Sequence, residues 1–174
     1  MDKDTLDDQT WDNTLGRLKS GQIPAEEIAH TIVRLGKPFD QSKIIAAKDT
    51  VAQFLNHPDS WVRHEAMWFL TAWGRLKEYQ SALIQAIRTD PDVDNRSFAA
   101  TCLGRLEEGT GEPNAVSALK SAVEDEILDP LLRLYAYGAL RQVVIGTSNI
   151  GYSPHERTLL DIDWDWVHSL SPKA

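Results

Sequence analysis

Cysteine is almost absent from this chain of 174 residues, and its one thiol, Cys102, excludes any internal disulfide and any C-x-x-C metal or redox site. The setting AATCLGRL is apolar and lacks the cationic, exposed surroundings that activate a thiol, so Cys102 reads as a core residue. Long hydrophobic runs are missing too. Nothing approaches the roughly 20 apolar residues that span a bilayer, and MDKDTLDDQT is acidic where a secretory leader begins basic and then turns apolar. The expectation is a cytoplasmic protein with no membrane partner. Positive charge is also scarce: 18 Lys and Arg face 26 Asp and Glu, a formal net charge of −8. Nucleic-acid binding releases counterions through clustered Lys and Arg, and no such cluster occurs, so a nucleic-acid partner is not expected. An acidic surface fits a basic partner protein, because complementary charge speeds encounter; it equally serves solubility.

Catalytic and cofactor signatures are lacking in the same way. There is no Gly-rich phosphate loop, no G-x-S-x-G elbow and no H-E-x-x-H; His64-Glu65 has Trp68 where the second histidine would stand. His30, His57, His155 and His168 show no zinc spacing either. Asp90, Asp92 and Asp94 imitate the start of a calcium loop, but its sixth and twelfth places hold Asn95 and Thr101 rather than Gly and Glu. From Asp161, those places hold Trp166 and Pro172. Neither a metal, a cofactor nor a catalytic residue is therefore assigned.

What the chain does have is helical periodicity from end to end. Hydrophobic residues make up 42% and charged residues 25%, enough for one domain over 1–174 with a sizeable core. No segment alternates as a half-buried strand does, so the fold class is all-α. A first helix over 10–19 carries Trp11, Leu15 and Leu18; a second opens at Pro24, buries Ile28, Ile32 and Leu35, and closes at Gly36. Asp40 or Ser42 caps a third, with Ile44, Ala47, Val51, Phe54 and Leu55, which stops at Asn56-His57-Pro58. Further helices run over 77–88 and 115–126, and Gly109 to Pro113 is a loop insertion. After a loop over 146–153, a helix or turn over 155–170 exposes Glu156 and Arg157 and buries Leu159, Leu160 and Val167.

One phrase recurs three times: HPDSWVRHEAMWFL, DPDVDNRSFAATCLGRL and DEILDPLLRLYAYGALRQV. Arg63, Arg96 and Arg133 keep one register at intervals of about 35 residues, each followed by an alanine (Ala66, Ala99, Ala136) and then a leucine (Leu70, Leu103, Leu140). Each phrase starts at a turn whose aspartate, Asp59, Asp92 or Asp129, can cap the second helix of a hairpin.

The pattern Asp-Pro-Asp, Arg, Ala, Leu-Gly-Arg-Leu resembles the HEAT repeat, most of all the HEAT-like variety of phycobilisome lyases and many bacterial proteins. The resemblance covers residues 42–144 and leaves an N-terminal helical cap over 1–41 and a C-terminal loop and cap over 145–174. It implies a right-handed α-solenoid of about four stacked helix pairs whose second helices line a concave face. It also implies that Arg63, Arg96 and Arg133 pair with neighbouring turn carboxylates as a ladder. Three functions of different classes follow: a non-enzymatic protein-binding module, such as an inhibitor, immunity-type protein or adaptor for a basic partner; a bilin-lyase-like handler of a tetrapyrrole; and a HEAT-like DNA-repair enzyme, which the acidity disfavours.

Residues that do not recur carry the individuality. If Val62, Ala66, Leu70 and Trp73 face the core, the opposite stripe continues through Trp68, Thr71 and Arg75, then Thr101, Gly104 and Glu108, then Tyr137, Gly138 and Arg141. Trp68 and Tyr137 beside small residues, with Arg75 and Arg141 at the rim, have the composition of a binding hot spot; the alternative is that both aromatics pack in the core. Trp164 and Trp166 are open to the same two readings, as a cap over the apolar end or as an acidic aromatic arm.

Overall fold

The computed structural model describes residues 6–37, 39–146 and 154–170, which leaves most of the loop expected over 146–153 outside the described residues. Every regular element among them is helical and none is a strand, as the periodicity required. The chain divides into two compact units, Met1–Leu76 and Lys77–Ala174.

In the first unit, α1 (Asp8–Lys19) starts where the Asp7 carboxylate accepts the Thr10 N–H, and it buries Trp11 and Leu18. The Trp11 indole N–H donates to the Leu35 carbonyl at 2.9 Å, fastening α1 to α2 (Ile28–Gly36). Asp40 caps α3 (Gln41–Ala52) by accepting from Ser42 and Lys43 N–H, and the Ser42 hydroxyl also donates to it at 2.6 Å. α3 stops at Ala52, earlier than the sequence suggests, and Phe54 and Leu55 lie half-buried in the turn that follows. α4 (Ser60–Met67) then continues as a π-helical stretch, Trp68–Trp73.

That stretch overturns the expected division of faces. The Gly74 N–H reaches Phe69 O at 2.9 Å and the Leu76 N–H reaches Leu70 O at 3.1 Å, five- and six-residue spans in place of the α-helical four. A stripe extrapolated at 3.6 residues per turn slips out of register past Trp68. Thr71, assigned to the outer stripe, is 1% exposed, while Trp73, assigned to the core, is half-buried. Trp73 also explains Gly36: a Cβ there would lie 2.2 Å from the indole ring.

In the second unit, a short turn of 3₁₀ helix (Lys77–Tyr79) leads to α5 (Gln80–Thr89), α6 (Val93–Leu106), α7 (Pro113–Glu124), α8 (Pro130–Ile145) and α9 (Trp164–Ser169). α5 packs on α6 and α7, and α8 packs on α6 and α7. Leu103, Leu119, Leu132 and Leu140 are fully buried between them, each contributing about 1.5–3 kcal/mol relative to an exposed side chain. Gly104 is fitted against Ala139: a Cβ on it would meet the Ala139 Cα at 2.9 Å, so it is a point where two helices touch and not the floor of a pocket. Gly109 and Gly111 have φ of 69° and 62°, and their N–H groups bond to the Gln142 and Val143 carbonyls, which seats the loop on the end of α8.

The recurring phrase keeps its aspartates as caps. Asp59 accepts from Trp61 and Val62 N–H, Asp92 from Asn95, and Asp129 from Leu131 and Leu132. The arginines of the phrase bond to main-chain carbonyls. Arg63 donates to His57 O and Pro58 O, Arg96 to Ile87 O and Arg133 to Val123 O, each tying its helix to the end of the segment before it. The C-terminal segment covers α8 with Val167 and Ile162 buried, but Leu160, expected inside, is 95% exposed because Leu159–Asp161 is a separate 3₁₀ turn rather than part of one amphipathic helix.

Candidate functional site

The residues singled out by sequence fall into both units, and their surroundings differ. In the first, Trp68 is half-buried and meets Trp73 edge-on at 6.4 Å; Trp73 in turn meets Phe69 and Phe39 edge-on. Thr71 is interior and its hydroxyl donates back to Met67 O at 2.6 Å. Arg75 is exposed with φ of 50°, a left-handed conformation that ends the π-helical stretch.

In the second unit, Thr101 is half-buried with its hydroxyl donating to Ser97 O, and Glu108 is half-buried. Tyr137 is 1% exposed, so it offers no accessible face to a partner. Its hydroxyl accepts from Arg141 Nη1 at 3.1 Å and from the Asp163 N–H at 3.2 Å, and its ring meets Trp166 edge-on at 5.9 Å. Arg141 lies over both the Tyr137 and Trp166 rings, at 5.6 and 5.8 Å, and Arg133 lies over Trp164 at 5.7 Å. Of the predicted residues, the structure thus joins Tyr137 to Arg141, and it does so in a clasp that holds the tail onto α8. Trp164 and Trp166 are both half-buried in it.

Compared with known proteins, the chain matches no family model and no curated sequence.

Two carboxylates that the sequence does not single out hold more informative places. Glu107, next to the predicted Glu108, is 1% exposed and receives Lys77 Nζ at 2.7 Å and the Thr110 hydroxyl at 3.1 Å. Glu107 and Glu108 both lie just past the end of α6 at Leu106, where helical periodicity no longer says which of the two side chains turns inward. Glu65, in α4, is 7% exposed, and among the described residues it has no hydrogen-bond or ion-pair partner. Burial alone pushes its carboxyl above the usual carboxylate range. Glu112 shows the contrary balance: burial raises it, but the Ala115 and Asn114 N–H groups and the Gln80 amide outweigh that and hold it low.

The grooves of the second unit, about 530 Å³ along Lys77, Ser81, Arg88 and Asn114 and about 270 Å³ along Arg96, Ala122 and Asp125, include none of the predicted residues. Among the described residues no group of three or more His, Cys, Asp or Glu is placed to hold a metal ion, and no helix is long and apolar enough to cross a membrane.

Proposed function

We propose that this chain is a non-enzymatic protein-binding module of the HEAT-like, α-solenoid kind, acting as an inhibitor, an immunity-type protein or an adaptor for a basic partner protein. The observation that carries the reading is the company kept by its exposed apolar side chains. Ile127, 95% exposed, stands among the exposed Asp125, Glu126 and Asp129, and Leu160, also 95% exposed, is followed by the exposed Asp161. Apolar prongs rimmed by carboxylates, on a chain with net charge −8, suit a surface that is basic with apolar recesses. The HEAT-like part of the reading is supported in the second unit, where α5 packs on α7 and α6 on α8, as first and second helices of successive hairpins do when they stack.

The test is affinity capture with the full chain from source lysate at about 20 mM and at about 500 mM salt, with the retained proteins identified. Basic proteins retained at low salt and lost at high salt are the expected result. Retention of acidic proteins alone, or of none at either salt, refutes it.

A further inference from the structure

Glu65 is the one buried carboxylate of α4, and its oxygens, though unpaired, are not sealed from water. A polar group sealed from water without a partner loses about 1–3 kcal/mol, more when charged, and a carboxylate nearly covered bears part of that cost while staying open to a donor from outside. Neither a lysine, an arginine nor a main-chain N–H compensates Glu65 among the described residues. What surrounds it in register is aromatic. Trp61 lies one turn before it on the same helical face and Trp68 one turn after, at i−4 and i+3. Trp61 is 58% exposed, an unusual state for so large an apolar ring, and it is held flat by stacking on His64, with centroids 5.2 Å apart and planes 8° from parallel. α4 itself is held at its start by the Asp59 cap and the Arg63 bonds, so this face is rigid.

From this arrangement we infer that the Trp61–Glu65–Trp68 face of α4 is a receptor slot for an arginine side chain of a partner protein. The guanidinium suits it in three respects. It is planar and stacks on an exposed indole; it donates two parallel N–H bonds to one carboxylate; and it sheds water more readily than an ammonium does. Trp61 supplies the accessible wall and Glu65, barely exposed, the charged floor. A slender side chain reaches such a floor where a second folded surface does not. The inference rests on the basic-partner reading above and assigns it an anchor in the first unit.

The test uses the full chain and a fluorescein-labelled octa-arginine peptide, followed by anisotropy at about 20 mM salt. Glu65→Gln keeps shape and removes the charge, and it is expected to weaken binding at least about tenfold; Trp61→Ala is expected to weaken it about threefold or more. Asp49→Asn, which removes an exposed carboxylate of α3 in the same unit, is expected to change it less than about twofold. Octa-lysine is expected to bind several-fold more weakly than octa-arginine. Circular dichroism and urea unfolding establish that each variant is folded. Equal losses from Glu65→Gln and Asp49→Asn would overturn the slot and leave the basic-partner reading standing, and so would equal binding of the two peptides. If neither peptide binds at low salt, both fail.

Discussion

Two glycines in helix interiors should answer the same substitution with opposite signs. Gly16 lies on the exposed side of α1, and a Cβ added there meets nothing within 4 Å. Gly16→Ala therefore realises the intrinsic preference of a helix for alanine and should stabilise the chain by about 0.8 kcal/mol. Gly104 in α6 has the same preference but no room. Its Cβ would lie 2.9 Å from Ala139 Cα, 3.0 Å from Ala139 Cβ and 3.0 Å from Gln142 Oε1. The glutamine can swing aside, whereas the Ala139 Cα belongs to the spine of α8, so the two helices must part by a few tenths of an ångström. Overpacking of this kind costs about 1–3 kcal/mol, and subtracting the propensity gain leaves a net loss of up to about 2 kcal/mol. Ala139→Gly should relieve it only in part, because the main chain of α8 still crowds the added methyl group. Urea unfolding at constant m-value measures both shifts. If Gly104→Ala stabilises as much as Gly16→Ala, the close approach of α6 and α8 is wrong.

Glu65→Gln should stabilise the protein at pH 7 by about 1 kcal/mol, because the charged form bears the cost of burial. A carboxyl raised in the folded state favours folding below its unfolded value of 4.5 and loses that contribution as pH rises through the folded value, so the advantage of the variant should vanish near pH 4. Urea midpoints at the two pH values check it; an advantage independent of pH would refute the assignment. Tyr137→Phe removes the acceptor shared by Arg141 and the Asp163 N–H and should cost about 1–2 kcal/mol, with faster amide exchange at Asp163 as the specific mark of a loosened tail. Arg75→Gly should stabilise by about 0.5–1 kcal/mol by releasing a left-handed backbone at φ 50°, read from the thermal midpoint; no gain would mean that the arginine side chain offsets the strain.

Much of the fold is legible because its signals are local. Asp59, Asp92 and Asp129 announce helix starts by residue type and position alone, and each caps as expected. Pro24, Gly36 and Asp40 punctuate the first unit in the same way. The site is harder to read, for physical reasons that can be named. Helical periodicity assumes constant winding, and the π-helical turn from Trp68 breaks that assumption, which is why a constant period puts Thr71 on the outside. Gly104 looks like space beside an aromatic because a sequence does not say that Ala139 fills it. Tyr137 looks available because nothing nearby in sequence reveals that the Asp163 backbone comes back across a gap of 26 residues. Glu65 draws no notice because a glutamate between a histidine and an alanine is ordinary in a helix; only burial without a partner sets it apart.

The arginine fastenings have a consequence for how such a chain can grow. Here the described bonds close over 5 to 10 residues, from Arg63 to Pro58 O and His57 O, from Arg96 to Ile87 O and from Arg133 to Val123 O. Each segment of about 35 residues brings both halves of its own clip, the arginine and the carbonyl, so inserting or removing one leaves the others clipped. Each clip is thereby indifferent to how many hairpins flank it.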